Sequence, residues 1–153
     1  MSFYEFLKFV HVLMAVIWVG GGILIQVLAV RAIRSKDAAR TATFAGDAEW
    51  VGLRVFMPAS ILLVIFGIWA AADADLDFGK AWISIGFAAF LFSALLGMLF
   101  LGPESGRIKK LVQANGPGDP EVGRRISRIY MFSRIELVVL IIAIWAMVAK
   151  PGL

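Results

Sequence analysis

The sequence contains no cysteine and only one histidine, His11, in 153 residues. Disulfide bonds and thiolate metal sites are therefore excluded. A metal site built from several histidines is likewise excluded within one chain. No serine has a histidine or a carboxylate at the spacing of a nucleophilic triad. These absences favour a protein without an enzymatic site.

Apolar residues are in excess instead. They make up 61% of the chain, and the mean hydropathy is +0.87. A soluble domain is only about half apolar, so this composition indicates a protein surrounded by lipid. The net charge of +4 does not indicate a nucleic-acid partner, because the basic residues flank apolar segments and have no stacking aromatic residues between them. Their expected partner is the anionic inner leaflet of a membrane.

Four apolar segments are candidates for membrane spans, because a helix needs roughly 20 apolar residues to cross the hydrocarbon core. The first is too long for a cleaved signal peptide, and a basic stop-transfer group follows it. We therefore predict a single all-α transmembrane domain over residues 1–153, folded as an antiparallel four-helix bundle. The predicted spans cover about 4–30, 55–72, 81–101 and 129–149.

The basic residues predict the orientation of this bundle. Twelve of the fifteen lysines and arginines lie in the loops 31–54 and 102–134, and only Lys8, Lys80 and Lys150 lie elsewhere. Loops rich in lysine and arginine stay in the cytoplasm. Both termini are then expected outside, in a multi-pass protein of the bacterial cytoplasmic membrane.

The cytoplasmic loops carry helix signals, so we expect helical extensions of the bundle. Asp119, Pro120 and Glu121 form a helix start with a side-chain cap, a proline in the first turn and an acidic residue. Asp37 is a candidate cap for another helix that leads toward the second span. Glycines 46 and 52 and Pro58 are expected to weaken or kink that helix.

Several short strings together resemble a known family. They are Lys8–Leu13 leading to Trp18–Gly21, Glu49-Trp50 leading to Met57–Ala59, Leu101–Pro103, and Ala146–Pro151. Their order and spacing resemble the bacterial predicted integral membrane proteins of domain-of-unknown-function family 2269. The first helix is also similar to those of membrane-type protoporphyrinogen oxidases, which bind haem, and of copper-resistance-D-type proteins.

That second similarity implies a cofactor role for His11 and Trp18, with haem b as the candidate cofactor. Because the chain has no second histidine, one haem would need Met147 as its other axial ligand, or two copies of His11 from a homodimer. Met14, His11 and Met147 also offer soft ligands for copper. The alternatives are a proton relay, or a structural hydrogen bond from His11 to Ser84 or a backbone carbonyl.

Other residues are candidates for structural roles. Small residues at helical spacing let backbones approach closely, which predicts packing at Gly22, Gly86, Ala89, Ser93 and Gly97. Opposite charges at an inner interface usually pair, so we also predict structural ion pairs that involve Arg54, Arg134 and Glu136.

The sequence leads to three functional hypotheses. The first is a non-enzymatic accessory protein or small-solute carrier, acting as a homodimer or as the subunit of a membrane complex. The second is a haem- or quinone-binding redox protein that uses His11. The third is a copper-related membrane protein.

Overall fold

The computed structural model describes residues 1–151, which are helical apart from short connections. Residues 152 and 153, the last two of the predicted domain, lie outside the described residues. Each of the four long helices contains an 18-residue window with a mean hydropathy of at least 2.2 and is long and apolar enough to span a membrane. The helices are α1 (Phe3–Arg34), α2 (Ala38–Asp73), α3 (Ala81–Asn115) and α4 (Pro120–Ala149).

Local sequence signals fix where these helices begin and end. The predicted caps at Asp37 and Asp119 are confirmed, because their carboxylates accept from the backbone N–H groups of the first helical turn at 3.0 and 2.8 Å. Ser2 starts α1 with a reciprocal capping box that includes Glu5, a Ser-x-x-Glu signal the sequence analysis did not use. Gly116 ends α3 with a φ of 84°, which glycine adopts without strain.

Two helices extend much further than the predicted spans. Helix α2 begins at Ala38 and runs without a break into the apolar segment, and α3 continues past Leu101 to Asn115. Each contains a wide π-helical turn, Gly52–Phe56 in α2 and Gly97–Leu101 in α3. Pro58 and Pro103 each follow two residues after these turns. Proline clashes with the carbonyl four residues before it, and a wide turn relieves such a clash without ending the helix.

The bundle is packed differently at its two ends. At the terminal end, which contains the first turn of α1 and the last turn of α4, Phe3–Ala15 packs on Met57–Asp73 and Ala81–Leu96 packs on α4. At the basic end, which contains the loops near 35–37 and 116–119, α2 and α4 contact each other, and each of them also contacts α1 and α3. A hydrophobic core lies there and consists of Ala29, Ile108, Val122, Ile126 and Tyr130.

Candidate functional site

His11 lies between α1 and α2, about 12 Å along α1 from its first residue at 1.5 Å per residue. Its Nδ1 atom is 2.7 Å from the backbone carbonyl oxygen of Leu63. Gly67 makes this approach possible, because a Cβ atom there would lie 2.7 Å from Nδ1 and 2.8 Å from Cε1 of the ring. The imidazole therefore packs directly against the backbone of Gly67, one helical turn after Leu63.

The bond to Leu63 fixes the tautomer of a neutral His11. A carbonyl oxygen only accepts, so Nδ1 carries the proton and donates it. The lone pair of Nε2 is then left unprotonated. Ligating histidines usually donate their other ring N–H to a carbonyl or a carboxylate in this way. The arrangement therefore suits both a structural hydrogen bond and a ligand. Gly67 was not among the residues predicted from the sequence. Its only signal was a lone glycine inside an apolar run.

Met147 lies in a different helix pair, at the terminal end of α3 and α4. Its side chain packs directly on Gly86, beside a buried cluster of Trp82, Ile83 and Ala146. Lys150 adds its ammonium group over the Trp82 ring, 5.3 Å from the ring centroid. The described contacts of Met147 are thus with α3, whereas those of His11 are with α2.

Trp18 and Gly22 lie where α1 meets its neighbours. Trp18 is half-buried within a third π-helical turn, Val16–Gly20. A Cβ atom at Gly22 would lie 3.5 Å from Cδ1 of Leu137 in α4, an ordinary van der Waals distance. The glycines after Trp18 thus contact two helices, because Gly21 packs on the Phe56 ring of α2.

The face of small residues on α3 is buried over most of its length. Gly86 contacts Met147, and Ala89 and Ser93 are 5% and 4% exposed. Gly97 differs, since no atom of another element lies within 4 Å of the place where its Cβ would be. Gly97 begins the π-helical turn of α3, so the regular α-helical spacing of this face ends there.

The residues predicted to form ion pairs at the inner interface have other neighbours. The Ser93 hydroxyl lies beside the Glu136 carboxyl without a hydrogen bond of good geometry. The Arg54 guanidinium lies over the Trp50 ring, 5.9 Å from its centroid, and Arg134 is exposed. Among residues 1–151, the ion pairs within 4.0 Å join other charged side chains at the basic end.

Glu104 is the centre of these ion pairs. Its side chain is 2% exposed, and its two carboxylate oxygens are 3.1 Å from Arg107 and 2.6 Å from Arg125. Arg125 also reaches Glu121 in α4, at 2.9 Å. The network therefore joins α3 to α4 just beyond the apolar part of α3.

Charge and hydrogen bonding keep Glu104 ionised. Burial opposes ionisation, but the hydrogen bonds and positive charges of Arg107 and Arg125 outweigh it and lower the pKa of the Glu104 carboxyl. Glu104 was not among the residues predicted from the sequence. Its signals were the three-residue spacing of Glu104 and Arg107 and the four-residue spacing of Glu121 and Arg125, both typical of paired charges on a helix.

A second ion pair joins α2 to α3 at the same end. Lys109 Nζ lies 2.7 Å from a carboxylate oxygen of Glu49, and the two side chains are 60% and 17% exposed. Beside this pair is an open groove of about 260 Å³, whose lining includes Trp50, Leu53 and Arg54. Basic, aromatic and aliphatic groups thus meet at one place near the end of the apolar part of α2.

The family model for predicted integral membrane proteins (DUF2269) matches residues 5–151, and the chain therefore belongs to that family. No curated protein and no solved structure matches the chain. The family assignment agrees with four helices that are long and apolar enough to span a membrane.

Proposed function

We propose that this member of the DUF2269 family is a non-enzymatic accessory protein of the bacterial cytoplasmic membrane. It folds as an antiparallel four-helix bundle with both termini outside. Its basic end is the binding unit, and it lies in the cytoplasm. Twelve of fifteen basic residues in the two loops at that end support the orientation.

The packing of the basic end is the observation that carries the proposed role. At 1.5 Å per residue the helices of 30 to 36 residues are about 45–54 Å long, whereas the hydrocarbon core is about 30 Å thick. We assign the excess length to the basic end, where Ile108, Val122 and Ile126 of the hydrophobic core and the Glu104 ion pairs lie beyond the predicted spans. A folded unit outside the bilayer suits the binding of a partner protein better than the passage of a solute.

The orientation is tested with single cysteines, since the natural chain has none. Ser2→Cys, Asp75→Cys and Asn115→Cys are each treated with an impermeant maleimide on intact cells. We expect labelling at positions 2 and 75, and labelling at 115 only after the cells are permeabilised. The reverse pattern would overturn the orientation.

The accessory role is tested with a photo-crosslinking amino acid placed in cells at one site at a time. We expect position 110, an exposed lysine at the basic end, to form a discrete adduct with one other membrane or cytoplasmic protein. Position 91, an apolar residue that is 57% exposed on α3, should crosslink to lipid instead. If position 110 yields no protein adduct, the accessory role is wrong.

A redox role is the second candidate, and the geometry of His11 favours it. With Nδ1 donating to Leu63, Nε2 is available as a ligand, and bound haem b would supply electron transfer. The test is the visible spectrum of protein expressed with ample haem. A Soret band that vanishes in His11→Ala and shifts in Met147→Leu supports a His/Met site. A Soret band that is unchanged in Met147→Leu and is lost when the dimer dissociates supports one haem shared by two copies of His11. Protein that takes up no haem refutes both haem sites.

A further inference from the structure

The groove between α2 and α3 at the basic end has an amphipathic lining. It has a volume of about 260 Å³ and lies next to Val55, the first residue of the apolar segment 55–72 of α2. Trp50 and Leu53 present apolar surface, with 58% and 51% of each exposed, and two basic side chains stand beside them. The lining residues are Gly46, Glu49, Trp50, Leu53, Arg54 and Lys109.

Neighbours hold both cations of the groove in position. The Trp50 ring lies 5.9 Å below the Arg54 guanidinium, an attractive cation–π arrangement. Lys109 forms an ion pair with Glu49, with 2.7 Å between Nζ and a carboxylate oxygen, and an ammonium group has three N–H donors. The groove therefore has a net charge of +1, and both of its cations keep donors for another acceptor.

The depth of the groove matches the headgroup layer of a bilayer. Arg54 directly precedes the apolar segment 55–72, and Glu49 lies five residues before Arg54, about 7.5 Å along the helix. The polar layer on each side of the hydrocarbon core is about 5–8 Å thick, and long basic side chains extend into it. A ligand in the groove would thus have its polar part beside Arg54 and Lys109 and its apolar part toward the membrane.

We propose that this groove binds one anionic phospholipid from the leaflet at the basic end of the bundle. Arg54 and Lys109 donate to the phosphate oxygens, and the glycerol and upper acyl chains lie along Trp50 and Leu53. A phosphodiester with a neutral headgroup matches a site of net charge +1. The proposal goes beyond the accessory role and does not depend on which side of the membrane the basic end faces.

The test is competition between lipids on the detergent-purified full chain, followed by native mass spectrometry. Phosphatidylglycerol and phosphatidylcholine with identical acyl chains are supplied in equal amounts. We expect one phosphatidylglycerol to survive activation that removes other lipids. Loss of one charge-assisted hydrogen bond corresponds to about a tenfold change in affinity, so Arg54→Gln and Lys109→Gln should each lower this retention about tenfold.

The controls separate the groove from general basic charge. Lys110→Gln removes the adjacent cation of α3, which does not line the groove, and should retain lipid like the parent. Arg54→Lys keeps the charge and should restore most of the retention. Because Arg54 forms no ion pair with any of residues 1–151, Arg54→Gln remains informative even if Lys109→Gln unfolds the protein.

Three results would overturn the proposal. The first is equal retention of the two lipids by the parent protein. The second is equal loss in Arg54→Gln and Lys110→Gln, which would mean a diffuse electrostatic effect. The third is displacement of the lipid by millimolar glycerol 1-phosphate, which would make the groove a site for a soluble anion.

Discussion

Replacing Gly67 with alanine tests the contact between His11 and α2 directly. The added Cβ atom would lie 2.7 Å from Nδ1 and 2.8 Å from Cε1 of the His11 ring. Carbon and nitrogen atoms that are not bonded do not approach so closely. The imidazole must therefore move off the helix, and its hydrogen bond to the Leu63 carbonyl, now 2.7 Å, must lengthen or break.

Three contributions set the size of the effect. Alanine is favoured over glycine in a helix by about 1 kcal/mol. Against this, overpacking a well-packed site costs about 1–3 kcal/mol, and an interhelical hydrogen bond in a membrane contributes about 0.6 kcal/mol and at most about 1.7. The unfavourable contributions win, so we expect Gly67→Ala to lower the free energy of unfolding by about 1–3 kcal/mol.

The assay is a double-mutant cycle with His11→Ala. Unfolding is followed by far-UV circular dichroism while sodium dodecyl sulfate is titrated into maltoside micelles. Without the imidazole the new methyl group has no other neighbour closer than 3.7 Å, so Gly67→Ala in the His11→Ala background should be neutral or stabilising by up to about 1 kcal/mol. Gly22→Ala is the matched control, because its Cβ would lie at an ordinary 3.5 Å from Leu137.

The cycle gives a clear negative result as well. If Gly67→Ala lowers the stability equally with and without the imidazole, the two residues do not interact and the position of His11 is wrong. If Gly22→Ala lowers stability as much as Gly67→Ala, the effect is a general intolerance of this membrane bundle to added methyl groups.

Three further substitutions test other parts of the structure. Glu104→Gln should lower stability at neutral pH by about 1–3 kcal/mol, because it removes charge-assisted hydrogen bonds from Arg107 and Arg125. Since the pKa of Glu104 is lowered in the fold, its contribution is present above the ordinary carboxyl range, about pH 4–5, and is lost as the pH falls through the folded pKa. The parent should therefore lose stability on acidification more steeply than Glu104→Gln, and parallel pH profiles would contradict this. On the packed face of α3, Ala89→Leu should lower the unfolding midpoint, whereas Gly97→Leu should leave it near that of the parent because Gly97 has open space beside it. If Ala89→Leu and Gly97→Leu lower the unfolding midpoint equally, the space beside Gly97 is not open.

The sequence predicts the four long apolar helices and the caps well because both depend on local interactions. A run of apolar residues long enough to cross the bilayer is visible without any knowledge of packing. The carboxylates of Asp37 and Asp119 cap backbone groups only two or three residues away. The capping box at Ser2 is equally local, since it joins Ser2 to Glu5, although it was not among the predicted caps.

The sequence predicts the interior contacts poorly because they join distant parts of the chain. Glu104 and Arg125 are 21 residues apart, and His11 and Leu63 are 52 residues apart. The acceptor for His11 is a backbone carbonyl, a group that every residue carries. What selects Leu63 is the missing side chain of Gly67, which is visible only once α1 and α2 are packed together.

The wide turns account for the two kinds of packing in one bundle. A π-helical turn contains an extra residue, and one residue rotates the following part of a helix by about 100°. Helices α1, α2 and α3 each contain one, at Val16–Gly20, Gly52–Phe56 and Gly97–Leu101. Each separates a terminal half that packs mainly on one neighbour from a basic half that packs on several. Without this rotation, the same face of each helix would have to make the packing contacts in both the terminal half and the basic half. The wide turns let one continuous helix pack mainly on one neighbour in its terminal half and contribute to the four-helix core in its basic half.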